Sequence, residues 1–243
     1  MAEGTEPAER QRTPDATDIE MLRALLRNGV AAIHQSPEAK MTPSTYMELY
    51  TAVSKLITRK KYEDGKLLGE TIYKDVSKFL AEHLQSVART LESQDDSALL
   101  SAYFAEWDQY TFSATKVDRI LNLLNRHYIL RNTSEGKKGI YPILLLHFVQ
   151  WRSQVWDKVS SRVIDCAQRA VEKNDGNTGR MNDMIQSFEK SGVDTDAISG
   201  DDDRTRIRKS LEAPFVLEVE KLERELDEIA AKNGNMKVEM GSR

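Results

Sequence analysis

The amino-acid sequence predicts an all-α protein of about nine helices, in a bundle or α-solenoid-like stack. The composition is 40% apolar and 30% charged with only 12 glycines, and it is rich in Leu, Glu, Lys, Arg and Ala, residue types that favour helices. Apolar residues recur at three- and four-residue spacing in one segment after another, which places each set on one helical face. No segment reads convincingly as a strand, and short connections between successive helices make antiparallel neighbours. No strict sequence repeat of the roughly 34- or 40-residue solenoid kind is visible.

Residues 1–17 are polar, acidic and proline-containing, and read as a disordered leader without the apolar core of a signal peptide. Thr17 or Asp18 can cap a helix running to about His34, with Ile19, Leu22, Leu25, Leu26, Val30 and Ile33 on one face. Pro37 and Pro43 act as breakers in the next loop, and Ser44 or Thr45 then caps a second helix. Its inward stripe is Tyr46, Leu49, Tyr50, Val53, Leu56 and Ile57, while Met47 and one edge of Tyr50 carry the apolar surface to one side. After the linker EDGK, a long helix from about Leu67 to Leu91 holds Leu68, Ile72, Val76, Phe79, Leu80, His83, Leu84 and Val87 in register. A fourth segment spans Leu99 to Tyr110 and a fifth about Ala114 to Arg131, followed by the turn RNTSEGKKG.

The stretch GIYPILLLHFVQW, Gly139 to Trp151, stands apart from this polar chain. Pro142 suits the first turn of a helix, where its missing N–H costs nothing. Beyond it apolar residues occur nearly all the way round, whereas a surface helix needs one stripe of about 100°. Such a helix is either fully buried or holds a second face for a partner. Its periodicity continues through Val155, Val159, Val163, Cys166 or Ala167 and Val171 to about Lys173. A short helix around Met181 to Phe188, an acidic loop near Asp201 and a final helix, Ile207 to Lys232, complete the reading. In that last helix Leu211, Phe215, Val219, Leu222, Leu226 and Ile229 point inward, and Pro214 predicts a kink or break. The tail after Asn233 is polar and reads as frayed.

Charge and motif content argue against chemistry. A net charge of −4 with both signs interspersed implies no basic face for nucleic acid, and no apolar run approaches the roughly 18 residues of a membrane span. His34, His83, His127 and His147 make no metal-binding spacing, no phosphate loop or nucleophile elbow occurs, and Asp201 to Asp203 lack the spacing of a calcium loop. The clusters Arg59-Lys60-Lys61 and Lys137-Lys138 are short and each ends or begins a helix, where they complement a dipole or stay solvated rather than bind nucleic acid. The single Cys166 reads as a small apolar helix residue. The expectation is a non-enzyme without cofactor or metal.

Three stretches carry a family resemblance: YMELYT (Tyr46 to Thr51), WDQYTFSATKVDRILNLLNRHYILR (Trp107 to Arg131) and EGKKGIYPILLLHFVQWR (Glu135 to Arg152). Their order and spacing resemble the amino-terminal region of cullins, closest to the cullin-1 type that scaffolds SCF ubiquitin ligases. The match is good from about Asp18 to Arg152 and looser to about Asn233. The resemblance implies a cullin-repeat helical stack: a first repeat over 18–152 that binds an adaptor, a partial and divergent second repeat over 153–233, and a disordered tail over 234–243. It implies a Skp-family adaptor with its F-box protein as partner, a cullin-binding regulator as a further one, and residence in cytoplasm and nucleus. In that family the second and fifth helices of the first repeat form the docking surface, here matched to the helices starting near Thr45 and Tyr141. By this correspondence the adaptor-binding residues are Tyr46, Met47, Tyr50, Tyr141 and Leu145, while Asn125, Arg126 and His127 match a signature read as packing and loop-fixing.

Departures from the family pattern are informative as well. The chain ends before the family's RING-binding domain and its modified lysine, so the resemblance implies a truncated scaffold to which no neddylation site is assigned. Lys221, Leu222 and Glu223 replace usual aromatic residues, and Pro142 falls inside the docking helix. Two other readings are a BTB-adaptor-binding cullin of another type and a generic helical-repeat interaction protein.

Overall fold

The computed structural model describes residues 16–58, 68–173 and 202–241, and among them it forms seven helices and no strand. These are α1 (Ala16–Gln35), α2 (Pro43–Ile57), α3 (Leu68–Glu92), α4 (Asp96–Ile120), α5 (residues 122–134), α6 (residues 143–173) and α7 (Asp203–Gly241). The expected count of about nine falls in part because the helix of the Gly139 to Trp151 stretch and the helix after it are one rod, α6, which passes through residues 152 and 153 without interruption. The helix expected at Met181 to Phe188, the EDGK linker, the Arg59-Lys60-Lys61 cluster and Asp201 lie outside the described residues.

Several element ends differ from expectation for local reasons. Helix α1 starts at Ala16, so Thr17 and Asp18 lie inside it rather than capping it. Thr42, not Ser44 or Thr45, caps α2: its Oγ1 accepts the Thr45 N–H at 3.1 Å. Pro43 is then the first helical residue, with a fixed φ suited to that position and no N–H to leave unsatisfied. Helix α4 runs straight through Thr111, Phe112 and Ser113, where the sequence suggests a gap. Two hydroxyls there bond within the helix, Thr111 to Trp107 O at 2.9 Å and Thr115 to Thr111 O at 3.0 Å. Buried Ser113 bonds Ile33 O on α1 at 3.2 Å. The break falls instead at the buried Leu121, whose φ of −88° and ψ of 15° leave the helical range.

Two of the helices carry an internal π turn, Asn125–Ile129 in α5 and Arg152–Trp156 in α6. Pro142 sits one residue ahead of α6 with ψ 147°, so it precedes the helix and takes no place in its first turn. Pro214 lies inside α7, which continues past it and past Asn233, so the expected break is absent from the described residues. There Pro214 removes the N–H that would reach back to Ser210.

The core is continuous from α1 to α7. Helix α3 contributes Leu68, Ile72, Val76, Leu80, Leu84, Val87 and Leu91, all buried at the three- and four-residue spacing read from the sequence. An aromatic group joins α4, α6 and α7: Trp107 lies 5.1 Å from Trp151 and 5.7 Å from Phe215, and Trp156 lies 5.7 Å from Phe215 between ring centroids. Trp151 donates Nε1 to the Tyr103 hydroxyl at 3.2 Å, and Trp156 donates its own to Glu212 at 2.8 Å, so the buried ring N–H groups are satisfied. Cys166 is buried, as expected of a small apolar residue, but Val171 is exposed rather than inward.

Candidate docking surface

Helix α2 spends Leu49, Ala52, Val53 and Leu56 on the core. Ala52 joins the inward stripe and Tyr46 leaves it, so the stripe is rotated from the expected one. Tyr46 is 36% exposed and Met47 55%, while Tyr50 is half-buried and stacks on Tyr46 at 6.2 Å between centroids. At about 100° per residue, Tyr46, Tyr50 and Met47 cover an outward arc of roughly 100°. The cap at Thr42 and Pro43 fixes the first turn of α2, and the Tyr46 N–H closes that turn on Thr42 O at 3.0 Å. Beside Met47, an open groove between α1 and α2 is walled by Leu22, Leu25, Thr51 and Lys55.

The turn before α2 is held from α4. Lys116 donates Nζ to Ala39 O at 3.1 Å and to Pro37 O, and lies 4.5 Å above the Phe112 ring. Phe112 itself is 50% exposed, a large apolar residue that sequence reasoning passed over because it sits between Thr111 and Ser113. Helix α2 also packs on Asn122–Leu124 at the start of α5, beyond which Arg126, His127 and Leu130 are exposed.

Asn125 of the same signature does the loop-fixing expected of it. Its Oδ1 accepts the Ile143 N–H at 3.0 Å and its Nδ2 donates to Asp118 at 2.9 Å. Pro142 offers α6 no side-chain cap, so Asn125 supplies one from another helix.

Tyr141 and Leu145 belong to a different neighbourhood. The first segment of α6 packs chiefly on α3, α4 and α7, whereas α2 packs on α1, α3, α4 and α5. Both residues are half-buried. The Tyr141 N–H donates to the Tyr73 hydroxyl at 2.9 Å, and the Tyr141 hydroxyl donates to Glu223 of α7 at 2.7 Å. Burial, then the Glu223 carboxylate, push the Tyr141 hydroxyl up to about 12. The structure therefore unites Tyr46, Met47 and Tyr50 on one face and sets Tyr141 and Leu145 on another element.

The charged motifs have structural occupations. Lys137 donates to Asn132 Oδ1 at 2.9 Å and pairs with Glu135 at 2.8 Å, and Lys138 pairs with Asp227 of α7. Asp202 accepts the Thr205 N–H at 2.9 Å, which caps the start of α7. No helix among the described residues is long and apolar enough to cross a membrane.

Residues 23–237 match a family model described as the cullin α-solenoid domain. Three curated relatives bear the name Cullin-1. The Dictyostelium discoideum protein is 30% identical over 105 residues, which cover 43% of this chain and 14% of the relative. That of Caenorhabditis elegans is 26% identical over 196 residues, 72% of this chain and 24% of the relative. That of Schizosaccharomyces pombe is 29% identical over 149 residues, 57% of this chain and 19% of the relative. The chain thus spans about a quarter or less of the length of the relatives it matches.

Proposed function

The chain belongs to the cullin family, and from that premise we propose that it is a non-catalytic scaffold that docks a Skp-family adaptor carrying an F-box protein. On this reading it works in SCF-type ubiquitin ligation in cytoplasm and nucleus, with 18–152 as the adaptor-binding repeat and 153–233 as a partial second one. The observation that supports it is the outward Tyr46, Met47 and Tyr50 on α2. These are large side chains of types enriched in interface cores, and the core of their own helix is complete without them. Tyr141 and Leu145 form a secondary area: the Tyr141 hydroxyl is already engaged by Glu223, so what remains for a partner is ring edge and methyl surface.

The test is retention of a purified adaptor–F-box pair on the immobilised chain. Wild type retains it, and Tyr46→Ala combined with Met47→Ala weakens binding by about 2–4 kcal/mol, roughly 30- to 1,000-fold. Both residues are exposed, so the double variant keeps the fold and its circular dichroism. Equal retention by the two proteins removes the site. Retention of a BTB-domain protein instead of the Skp-family adaptor assigns the chain to another cullin type.

A further inference from the structure

Four helices meet around three imidazoles. His34, in the last turn of α1, lies 5.0 Å from His83 of α3 and 5.5 Å from His147 of α6 between ring centroids. Phe79 of α3 at 5.6 Å and Tyr110 of α4 at 5.5 Å complete the enclosure. His34 is 6% exposed, His147 is fully buried and His83 is half-buried. His147 Nδ1 meets Ile143 O at 2.6 Å, which makes Nδ1 the protonated nitrogen and leaves Nε2 without a partner. His34 is more isolated still, with neither ring nitrogen bonded.

The charged and titratable groups around the rings offer a proton no help. Tyr110 spends its hydroxyl on His147 O at 3.0 Å, so it addresses the backbone and leaves the rings unbonded. Among the described residues no carboxylate bonds or pairs with any of the three rings, and no group of side chains is arranged to hold a metal ion. His34 and His147 are the enclosed pair, set against the Tyr110 ring and one another, while His83 keeps partial contact with solvent. A charge placed on either enclosed ring is stripped of water and repelled by its imidazole neighbours.

We propose that His34, His83 and His147 form an acid-sensitive lock, which ties the last turn of α1 to α3 and α6 only while the rings are neutral. The turn that His34 anchors leads within eight residues to Thr42 and the first turn of α2, so opening the lock frees the joint that positions α2. This stands on the ring geometry alone and does not depend on what α2 binds.

Burial is the main cause that holds His34 down to about 2 and His147 to about 4, with neighbouring imidazoles adding to it, and burial lowers His83 as well. The ordinary histidine value, 6.5, is that of the unfolded chain. The folded state therefore binds fewer protons: stability is complete well above pH 6.5 and is lost progressively as the pH falls from 6.5 toward about 4 for His147 and about 2 for His34. At about pH 5.5 each such histidine lowers the folding equilibrium constant about tenfold, and His34 with His147 about a hundredfold.

Urea denaturation of the full chain at about pH 8 and about pH 5.5 tests this. His34→Phe and His147→Leu each remove about tenfold of the acid sensitivity and leave the stability at the higher pH equal or greater. Imidazole proton NMR of the folded protein shows no titration of His34 or His147 near the ordinary histidine value of 6.5. The lock is overturned if both cluster variants lose stability with acid as steeply as wild type, or if His34 titrates near 6.5 in the folded state. Each variant is read separately, so failure of one to fold leaves the other decisive.

Discussion

Removing the Asn125 side chain tests how the start of α6 is held. Its amide joins α4 to α6 through two bonds, accepting from Ile143 N–H and donating to the Asp118 carboxylate. The first replaces a cap that Pro142 cannot give, and losing a cap costs about 1 kcal/mol. The second reaches a charged acceptor, where about 1.5 kcal/mol is ordinary, and Asn125 is half-buried, so the lower end of the range applies. Asn125→Ala should therefore destabilise the fold by about 2.5 kcal/mol, lowering the thermal midpoint by roughly 5–10 °C for a chain of this size. Urea unfolding followed by tryptophan fluorescence reads it directly, as a shift in midpoint at unchanged slope. Asp118→Ala alone and the double variant separate the two bonds: the pair should couple by about 1 kcal/mol, since the carboxylate bond is lost only once. A loss below about 0.5 kcal/mol in Asn125→Ala, or strict additivity with Asp118→Ala, would refute the reasoning.

Two further substitutions probe how α7 is seated. Phe215→Ala empties a site enclosed by Trp107 and Trp156 and should cost about 3–5 kcal/mol in the same urea titration, with a value under 2 excluding the aromatic anchor. Gly136 and Gly139 both have positive φ, 74° and 76°, but a Cβ on Gly136 would meet the Ala230 backbone at 3.2 Å while one on Gly139 meets nothing. Each alanine variant should lose about 1 kcal/mol for the left-handed backbone, and Gly136→Ala more, because α7 must also shift. Equal losses at the two sites would mean that α7 does not press on that turn.

How much of this was legible depended on whether a feature is local. The stripe of α3 shows in the sequence because a strict three- and four-residue spacing leaves one orientation. Thr42 was hidden by Ser44 and Thr45, equally good capping types, until the position of Pro43 decided among them. The break at Leu121 has no glycine or proline to announce it, and Thr111 to Ser113 look like a break that hydroxyl bonding removes. On the candidate surface, the resemblance pointed to Tyr46, Met47, Tyr50, Tyr141 and Leu145, whereas spacing alone placed Tyr46 and Tyr50 in the inward stripe. That the Tyr141 hydroxyl is taken by Glu223, 82 positions later, has no signature in either neighbourhood. His34 was unremarkable for the same reason, since its partners come from three other helices.

The π turn of α6 has a consequence for how a long rod can serve a layered stack. An inserted residue rotates everything downstream by about 100° relative to an uninterrupted helix. Trp151 and then both Val155 and Trp156 are buried around this turn, and the next inward set begins at Val159. One continuous helix is thereby geared into two packing registers, each of which meshes with α3, α4 and α7. A single deletion within Arg152–Trp156 would leave each half of the rod intact in composition but mistimed against its neighbours, so spacing across this turn is a constraint as strict as the identity of any core residue.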